Sequence, residues 1–368
     1  MRRCKFSKVR PLINLCVIVI ACICTFLAIR FATVSHKMKY IPQHEFVDPP
    51  DGRRKTFIYL ESFPSFYELK MGSEHFVNCP VNLCEFTDTP NDFDKSDAVI
   101  FYTHHKSGSP PVKQPNQIWI YFAVESPIHS GNAELGKWTN LFNWTMTYRY
   151  DSDMRFGYGK VVPKLKFEND SIVDKMTRSK KKKLVAWFVS NCYTQSKRNE
   201  FVIELQKKIK VDIYGKCGSL TCGKDSNDNC LKMLDNDYKF YLSFENSLCK
   251  DYISEKALHM LKRNIVPVVR GGANYSAILP KKSVIQTSDF NSVSELADYL
   301  VYLDNNPKEY EKYFEWKKYY DVIEPEPFPV CDLCQRIRNS CSCNFEKQYE
   351  NVDNWWRKDI CWEPNDIK

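Results

Sequence analysis

Two α/β units in series, each built on a parallel sheet, are what this 368-residue sequence predicts. Three observations predict it. Short runs rich in β-branched and aromatic residues are nearly continuous in apolar character, as strands covered on both faces require. Strand, helix and strand recur within about thirty residues, the length of a βαβ unit with its right-handed crossover. A polar, basic stretch from Lys160 to Lys183 has no core-facing stripe and separates two such sets.

The composition agrees with a folded protein. Hydrophobic residues make up 43% and charged residues 27%, while Gly 12 and Pro 19 exclude a collagen-like or low-complexity chain. The net charge is +8, and Arg2, Arg3, Lys5, Lys8 and Arg10 supply five of those eight. The remainder is nearly balanced, so no nucleic-acid partner is implied. These residues form a tail over 1–10, followed by an apolar stretch, Leu12 to Ile29, whose only clearly polar members are Asn14 and Thr25. Its length suits a membrane span, and Arg30-Phe31 offers no small-residue cleavage site, so residues 11–30 read as an uncleaved signal anchor. The basic tail then stays in the cytosol and the rest crosses the membrane, a single-pass type II topology. Residues 31–54, with Pro42, Pro49, Pro50 and Gly52, read as an extended stem.

The first unit, residues 55–180 including the connection, holds candidate strands at Phe57–Leu60, Ala98–Tyr102 and Ile118–Phe122. The second, 181–330, opens with a strand at Leu184–Val189. A helix over Lys197–Ile209 follows, with Phe201, Leu205 and Ile209 at helical spacing, and then a strand at Val211–Tyr214. The pattern repeats with a strand at Tyr238–Phe244, a helix at Tyr252–Arg263 and a strand at Ile265–Val269 closed by Gly271-Gly272, before a helix at Val293–Asn305.

Of 16 cysteines, Cys4, Cys16, Cys22 and Cys24 lie in or near the anchor, leaving an even number beyond it. In an oxidising lumen these pair, and Cys331-x-x-Cys334 with Cys341-x-Cys343 reads as a disulfide knot in a tail over 331–368. A small zinc site is the rival reading of the same four cysteines. Sequons at Asn143, Asn169 and Asn274 are N-glycosylation candidates in that compartment.

Chemistry is expected where ionisable groups follow strands, because the carboxyl ends of parallel strands face the ligand crevice. Glu125 follows Ile118–Phe122 and can take a proton from a substrate, against the plainer reading of a turn-capping surface carboxylate. His104-His105 follow the preceding strand, again with an ordinary loop as the alternative. Glu245-Asn246 closes another strand, and Tyr252, Glu255 and Lys256 fall in the first turn of the next helix. Lys256 and Arg198 suit a diphosphate, or else make ordinary ion pairs. Glu255 and His259 have a metal-like spacing without a third ligand, and Asp151-Ser-Asp153 is a three-residue match of little weight.

Tyr238-Lys-Phe-Tyr-Leu-Ser-Phe-Glu-Asn-Ser247, Asp251-Tyr-Ile-Ser-Glu-Lys256 and Val266-Pro-Val-Val269 together resemble the donor signature of the α-1,3-fucosyltransferases, glycosyltransferase family ten. His104-His105, Glu125-Ser-Pro127, Asn143-Trp-Thr145 with Tyr148-Arg149, Asp151-Ser-Asp153, Ala186–Asn191 with Arg198, and Cys331-x-x-Cys334 resemble it in the same order, so the likeness covers roughly 55 to 335. The resemblance implies a Golgi type II membrane enzyme of GT-B architecture, two Rossmann-like domains facing a cleft. It implies transfer of L-fucose from GDP-fucose, with inversion, to a GlcNAc hydroxyl of a glycoprotein or glycolipid glycan. The first unit becomes the acceptor side, with His104 and His105, and the second the GDP-fucose-binding domain.

By matching position, Glu125 resembles the general base, and Asn191, Arg198, Glu245, Asn246, Tyr252, Glu255 and Lys256 resemble the donor-binding set. No metal is obligatory on this reading, with a divalent cation left open as a stimulant. The resemblance further suggests that Cys331 or Cys334 is tied to Cys79 or Cys84. The sequence departs from the family at Asn264 and Ala257, neither of them a matched donor residue, and at Lys106-Ser107, which leaves N-acetyllactosamine, its GalNAc analogue and the chitobiose core all open as acceptors. The rival functions are an inactive luminal glycan-binding relative and a transferase using another nucleotide sugar.

Overall fold

The first sheet is built from six parallel strands: β1 (Thr56–Glu61), β2 (Cys84–Thr87), β3 (Ala98–Tyr102), β4 (Ile118–Ala123), β5 (Trp144–Thr147) and β6 (Met154–Arg155), in the order β2-β1-β3-β4-β5-β6. Ile58 pairs with Ala98, and Ala98 in turn with Ile118. All six residues of β4 are buried, which explains its unbroken apolar run. Strand β7 (Lys160–Pro163) leaves this sheet for a separate antiparallel pairing.

The second sheet holds β8 (Lys183–Phe188), β9 (Val211–Tyr214), β10 (Tyr238–Phe244), β11 (Val266–Arg270) and β12 (Ile285–Gln286), all parallel, in the order β12-β11-β10-β8-β9. Strand β13 (Tyr320–Ile323) returns to pair with β7, from Tyr320 opposite Pro163 to Ile323 opposite Lys160. Helices α1 (Arg198–Gln206), α2 (Asn227–Asp237), α3 (Glu255–Leu261), α4 (Tyr275–Ile278), α5 (Val293–Asn305) and α6 (Pro307–Glu311) belong to this half. The chain ends with α7 (Val330–Ser340) and α8 (Val352–Arg357).

In β8 and β10 successive side chains go to opposite cores. Val185, Trp187, Phe240, Leu242 and Phe244 pack with Phe201 and Leu205 of α1 and with Leu296 and Leu300 of α5. Ala186 and Tyr241 pack with Leu234 of α2 and Met260 of α3 on the other face. Both faces are thus covered by helices of the same half.

The first sheet is covered differently. Among the described residues its own half supplies only short 3-10 turns, and the end of the chain provides the α-helices. Leu333, Cys334 and Ile337 of α7 pack on Ile58, Phe86, Ile120 and Phe122. On the opposite face Val352 and Trp356 of α8 pack with Tyr59, Val99, Trp119 and Tyr121. The segment after residue 330 is therefore part of the first unit's core.

Disulfides fix this return. Cys79 bonds to Cys331 and Cys84 to Cys334, across 252 and 250 residues of sequence. The local knot of Cys331 and Cys334 with Cys341 and Cys343 does not form, because both partners in α7 are already spent, and the same bonds remove them as zinc ligands. Further bridges join Cys192 to Cys217, Cys222 to Cys230, and Cys249 to Cys361.

This computed structural model describes residues 54–102, 108–131, 135–169, 171, 173, 181–222, 227–340 and 347–367, and from Asp51 onward the chain is one compact unit. The expected tail, anchor and all but the end of the stem lie outside the described residues, as do His104, His105, Cys341 and Cys343. No helix among the described residues is long and apolar enough to cross a membrane.

Candidate active site

Counted along their own strands, the sheets run in the orders 2-1-3-4-5-6 and 2-1-3-4-5, which places a switch point between β1 and β3 and another between β8 and β10. Crevices at the carboxyl ends of such strands are where α/β sheets bind ligands. The candidate residues gather there.

Glu125 follows Val124 at the end of β4 and is half-buried. Its carboxylate is held from two sides. The Tyr158 hydroxyl donates to Oε1 at 2.9 Å, and the Tyr252 hydroxyl donates to Oε2 at 3.0 Å. Tyr252 is fully buried, comes from the second half and packs on Tyr148 at a ring separation of 5.0 Å. Burial, reinforced by the nearby carboxylates, drives the phenol of Tyr252 well above its ordinary range, and burial with Glu125 and Glu255 does the same for Tyr158. Both remain protonated donors. Beside Glu125, Ser247 donates to the Ser126 hydroxyl at 2.6 Å across the two halves.

A cavity of about 270 Å³ opens at the switch point of the second sheet, lined by Trp187 to Ser190 at the end of β8 and just beyond it, Phe244 of β10, Arg198 of α1 and Glu255, Lys256 and His259 of α3. Arg198 is buried, its Nη1 donating to the Phe244 carbonyl at 2.8 Å and its Nη2 to the Asn191 carbonyl at 3.0 Å. Its Nε is buried without a partner, an unspent donor beside the cavity. Lys256 lies 3.2 Å from Glu255 and 3.4 Å from Glu245. Burial pushes its ammonium toward neutrality, but the two carboxylates outweigh this and hold its pKa above the usual lysine value. A fixed cation and an unpaired guanidinium N–H on one cavity suit a diphosphate.

Four members of the expected donor set do not line this cavity. Glu245 is completely buried and accepts from the Ser254 amide at 2.8 Å and from the Ser254 hydroxyl, so it anchors the start of α3; burial raises its pKa. Tyr252 spends its hydroxyl on Glu125. Asn191 is exposed just beyond the cavity wall, and its carbonyl receives Arg198. Asn246 is half-buried, with its carbonyl accepting from the Ser196 amide at 3.2 Å and its side-chain oxygen 3.1 Å from the Ser247 hydroxyl.

Close backbone approach explains the second glycine after β11. A Cβ on Gly272 would collide with the Cys249 carbonyl and amide, so only glycine at that position lets the loop carrying Tyr252 cross here.

The sequon at Asn143 is corrected. Its side chain is buried, with the oxygen accepting from Trp119 N at 2.9 Å and Lys113 Nζ at 2.6 Å, so it has no surface to present to a glycan. Asn169 and Asn274 are exposed. Asp151 is committed to Arg149 at 2.6 Å, and Asp153 accepts from Thr145 N and Tyr349, so this pair serves folding. His259 lies 3.4 Å from Glu324. Sequence reasoning missed Tyr158, because nothing local to it announces a partner 33 positions upstream.

The class this defines is an α/β protein with an ionisable site at the carboxyl ends of two parallel sheets. Residues 53–159 match the family profile "Fucosyltransferase, N-terminal", and 178–355 match "Glycosyltransferase family 10 (fucosyltransferase) C-term". The chain is 33% identical over 333 residues to the Drosophila melanogaster glycoprotein 3-alpha-L-fucosyltransferase A, covering 88% of this chain and 64% of that one. It is 37% identical over 306 residues to alpha-(1,3)-fucosyltransferase C of the same fly, covering 76% and 70%. The alpha-(1,3)-fucosyltransferase fut-1 of Caenorhabditis elegans is 37% identical over 302 residues, covering 77% and 67%. A crystal structure of an alpha1,3-fucosyltransferase with GDP-fucose has a TM-score of 0.52 and 16% identity over 83% of this chain and 95% of that one, a likeness of fold. The chain belongs to glycosyltransferase family 10, the fucosyltransferases.

Proposed function

We propose that this protein transfers L-fucose from GDP-fucose to a GlcNAc hydroxyl of a glycan in α-1,3 linkage, with inversion. The observation that carries the reading is Glu125, a carboxylate oriented by phenols from both halves, in a chain whose next half presents Arg198 and Lys256 on a cavity. Glu125 takes the proton of the acceptor hydroxyl as its oxygen attacks the anomeric carbon of fucose. The bond to GDP breaks on the opposite face, and Arg198 and Lys256 receive the diphosphate charge. Glu255 also lines the cavity, and its carboxylate would offset positive charge developing on the sugar. These protein cations do the work of a metal, so a divalent ion is at most a stimulant.

The architecture follows the GT-B plan, two Rossmann-like halves with the donor in the second and the acceptor at the first, near His104 and His105. The apolar stretch Leu12–Ile29 behind a basic tail supports a Golgi membrane location with the catalytic part luminal, and the five disulfides suit such a compartment. The test is the full chain in detergent, offered GDP-fucose or GDP-mannose with N-acetyllactosamine, its GalNAc analogue or a chitobiose-core N-glycan. Fucosylated product from GDP-fucose on at least one acceptor is expected. Release of GDP only from GDP-mannose, or glycan binding without product, would overturn the reading.

A further inference from the structure

From the geometry we infer that residues 351–362 form a strap that sets the position of Glu125, with Arg357 as its positioning residue and the Cys249–Cys361 disulfide as its lock. The inference rests on Glu125 acting as the base. In the loop 127–131, which follows Glu125-Ser126 directly, three acceptors bond to two consecutive residues of α8. Arg357 donates to the carbonyls of Pro127 and Gly131, the latter at 2.7 Å, and Trp356 Nε1 donates to the Ser130 hydroxyl at 2.9 Å. Asp353 holds the Arg357 guanidinium from within the helix at 2.8 Å. The fully buried Trp356 ring packs on Tyr121 of β4 and on Tyr148, which itself packs on Tyr252.

Five residues further on, the same strap grips the second half. Lys250 N donates to the Ile360 carbonyl at 2.8 Å, Trp362 N donates to the Leu248 carbonyl at 3.0 Å, and between these bonds Cys361 is bonded to the fully buried Cys249. That loop continues to Tyr252, whose amide donates to the Cys249 carbonyl at 3.1 Å and whose hydroxyl holds Glu125. The contacts close a ring: Glu125, its own loop, Arg357, Cys361, Cys249, Tyr252 and Glu125 again. Two loops from different halves, which must meet for Tyr252 to reach Glu125, are fastened to one short segment. A strap that merely covered the core would need Trp356 and Val352 only. The guanidinium fork on two carbonyls flanking the base's loop adds orientation, and a displacement near 1 Å at a reacting group costs on the order of 100-fold in rate.

The test compares the full chain with Arg357→Ala, with the milder Ser130→Ala, and with the paired Cys249→Ser/Cys361→Ser, each also made in the Glu125→Gln background. Between about 10- and 100-fold loss of kcat is expected for Arg357→Ala and the cysteine pair, with less for Ser130→Ala. The affinity for GDP, read by calorimetry, should stay within about two-fold of wild type, because the strap does not line the cavity. In the Glu125→Gln background the same changes should cost almost nothing more, since no base remains to be placed. Equal losses in both backgrounds, parallel loss of GDP affinity, or near-native kcat in the cysteine pair would each overturn the strap. Near-native kcat in Glu125→Gln alone would instead refute the base assignment on which it rests. If Arg357→Ala does not fold, Ser130→Ala and the cysteine pair still decide.

Discussion

Tyr252 reaches across from the second half of the molecule to place its hydroxyl 3.0 Å from the carboxylate of Glu125 in the first. Tyr158 occupies the other carboxylate oxygen at 2.9 Å. A carboxylate with a donor on each oxygen cannot rotate freely, so its remaining lone pairs are aimed in a fixed direction. That is what a base needs when the acceptor hydroxyl must be caught in one orientation.

Replacing Tyr158 by Phe should therefore lower kcat while leaving GDP affinity unchanged. Hydrogen bonds to charged groups contribute about 1.5–3 kcal/mol, and a loss near the lower figure corresponds to about ten-fold in rate. Steady-state kinetics with calorimetric GDP binding checks this, and equal damage to both would place Tyr158 in folding instead.

Lys256→Ala should weaken GDP and GDP-fucose alike, by roughly 10- to 100-fold, because it removes one charge-assisted partner of the diphosphate. Calorimetry against both ligands reads it. Native affinity would remove Lys256 from the donor site and leave it as the counter-charge of Glu245 and Glu255.

The two long-range disulfides should behave as partial substitutes for one another. Either closes a loop of about 250 residues and removes on the order of 5 kcal/mol of unfolded-chain freedom. Once one is formed, the other closes only a short additional loop. Cys79→Ser/Cys331→Ser should thus cost much less than removing all four cysteines, as read by denaturant midpoints. Additive losses would show that the bonds act through native contacts of α7.

Lys317 provides a pH test of folding. Its ammonium is buried against the carbonyls of Leu261 and Arg263 at the end of α3, and burial, aided by Lys164 and Lys181, pushes its pKa down to about 7. The unfolded chain holds this proton up to the ordinary lysine value of 10.5, so between about 7 and 10.5 the unfolded state binds more protons. The contribution of Lys317 to stability accordingly rises with pH through that window and is lost below it. Scanning calorimetry at pH 7 and pH 9 should show wild type gaining on Lys317→Met. A constant difference would contradict the depressed value.

Much of this was legible because parallel strands buried on both faces write themselves as unbroken apolar runs, as β3 and β4 do. Strands β2 and β5 did not, since Cys84-Glu-Phe-Thr87 and Trp144-Thr-Met-Thr147 are short and half polar. Helix α7 was hidden behind Pro325, Pro327 and Pro329, which end earlier structure but leave Val330 free to start a new helix, and only Leu333, Cys334 and Ile337 on it are buried. Glu125 could be found because it ends a strand, whereas Tyr158 and Arg357 matter through partners 33 and some 230 positions away. Asn143 shows the converse: a local triplet matched, and tertiary burial cancelled it.

The most direct measurement is turnover of Glu125→Gln with GDP-fucose and a productive acceptor, beside GDP binding of the same variant. The amide keeps the shape of the side chain and removes only the proton acceptor. GDP affinity should stay within about two-fold of wild type while kcat falls roughly 100- to 10,000-fold, the usual worth of a general base. Unchanged kcat would contradict that role.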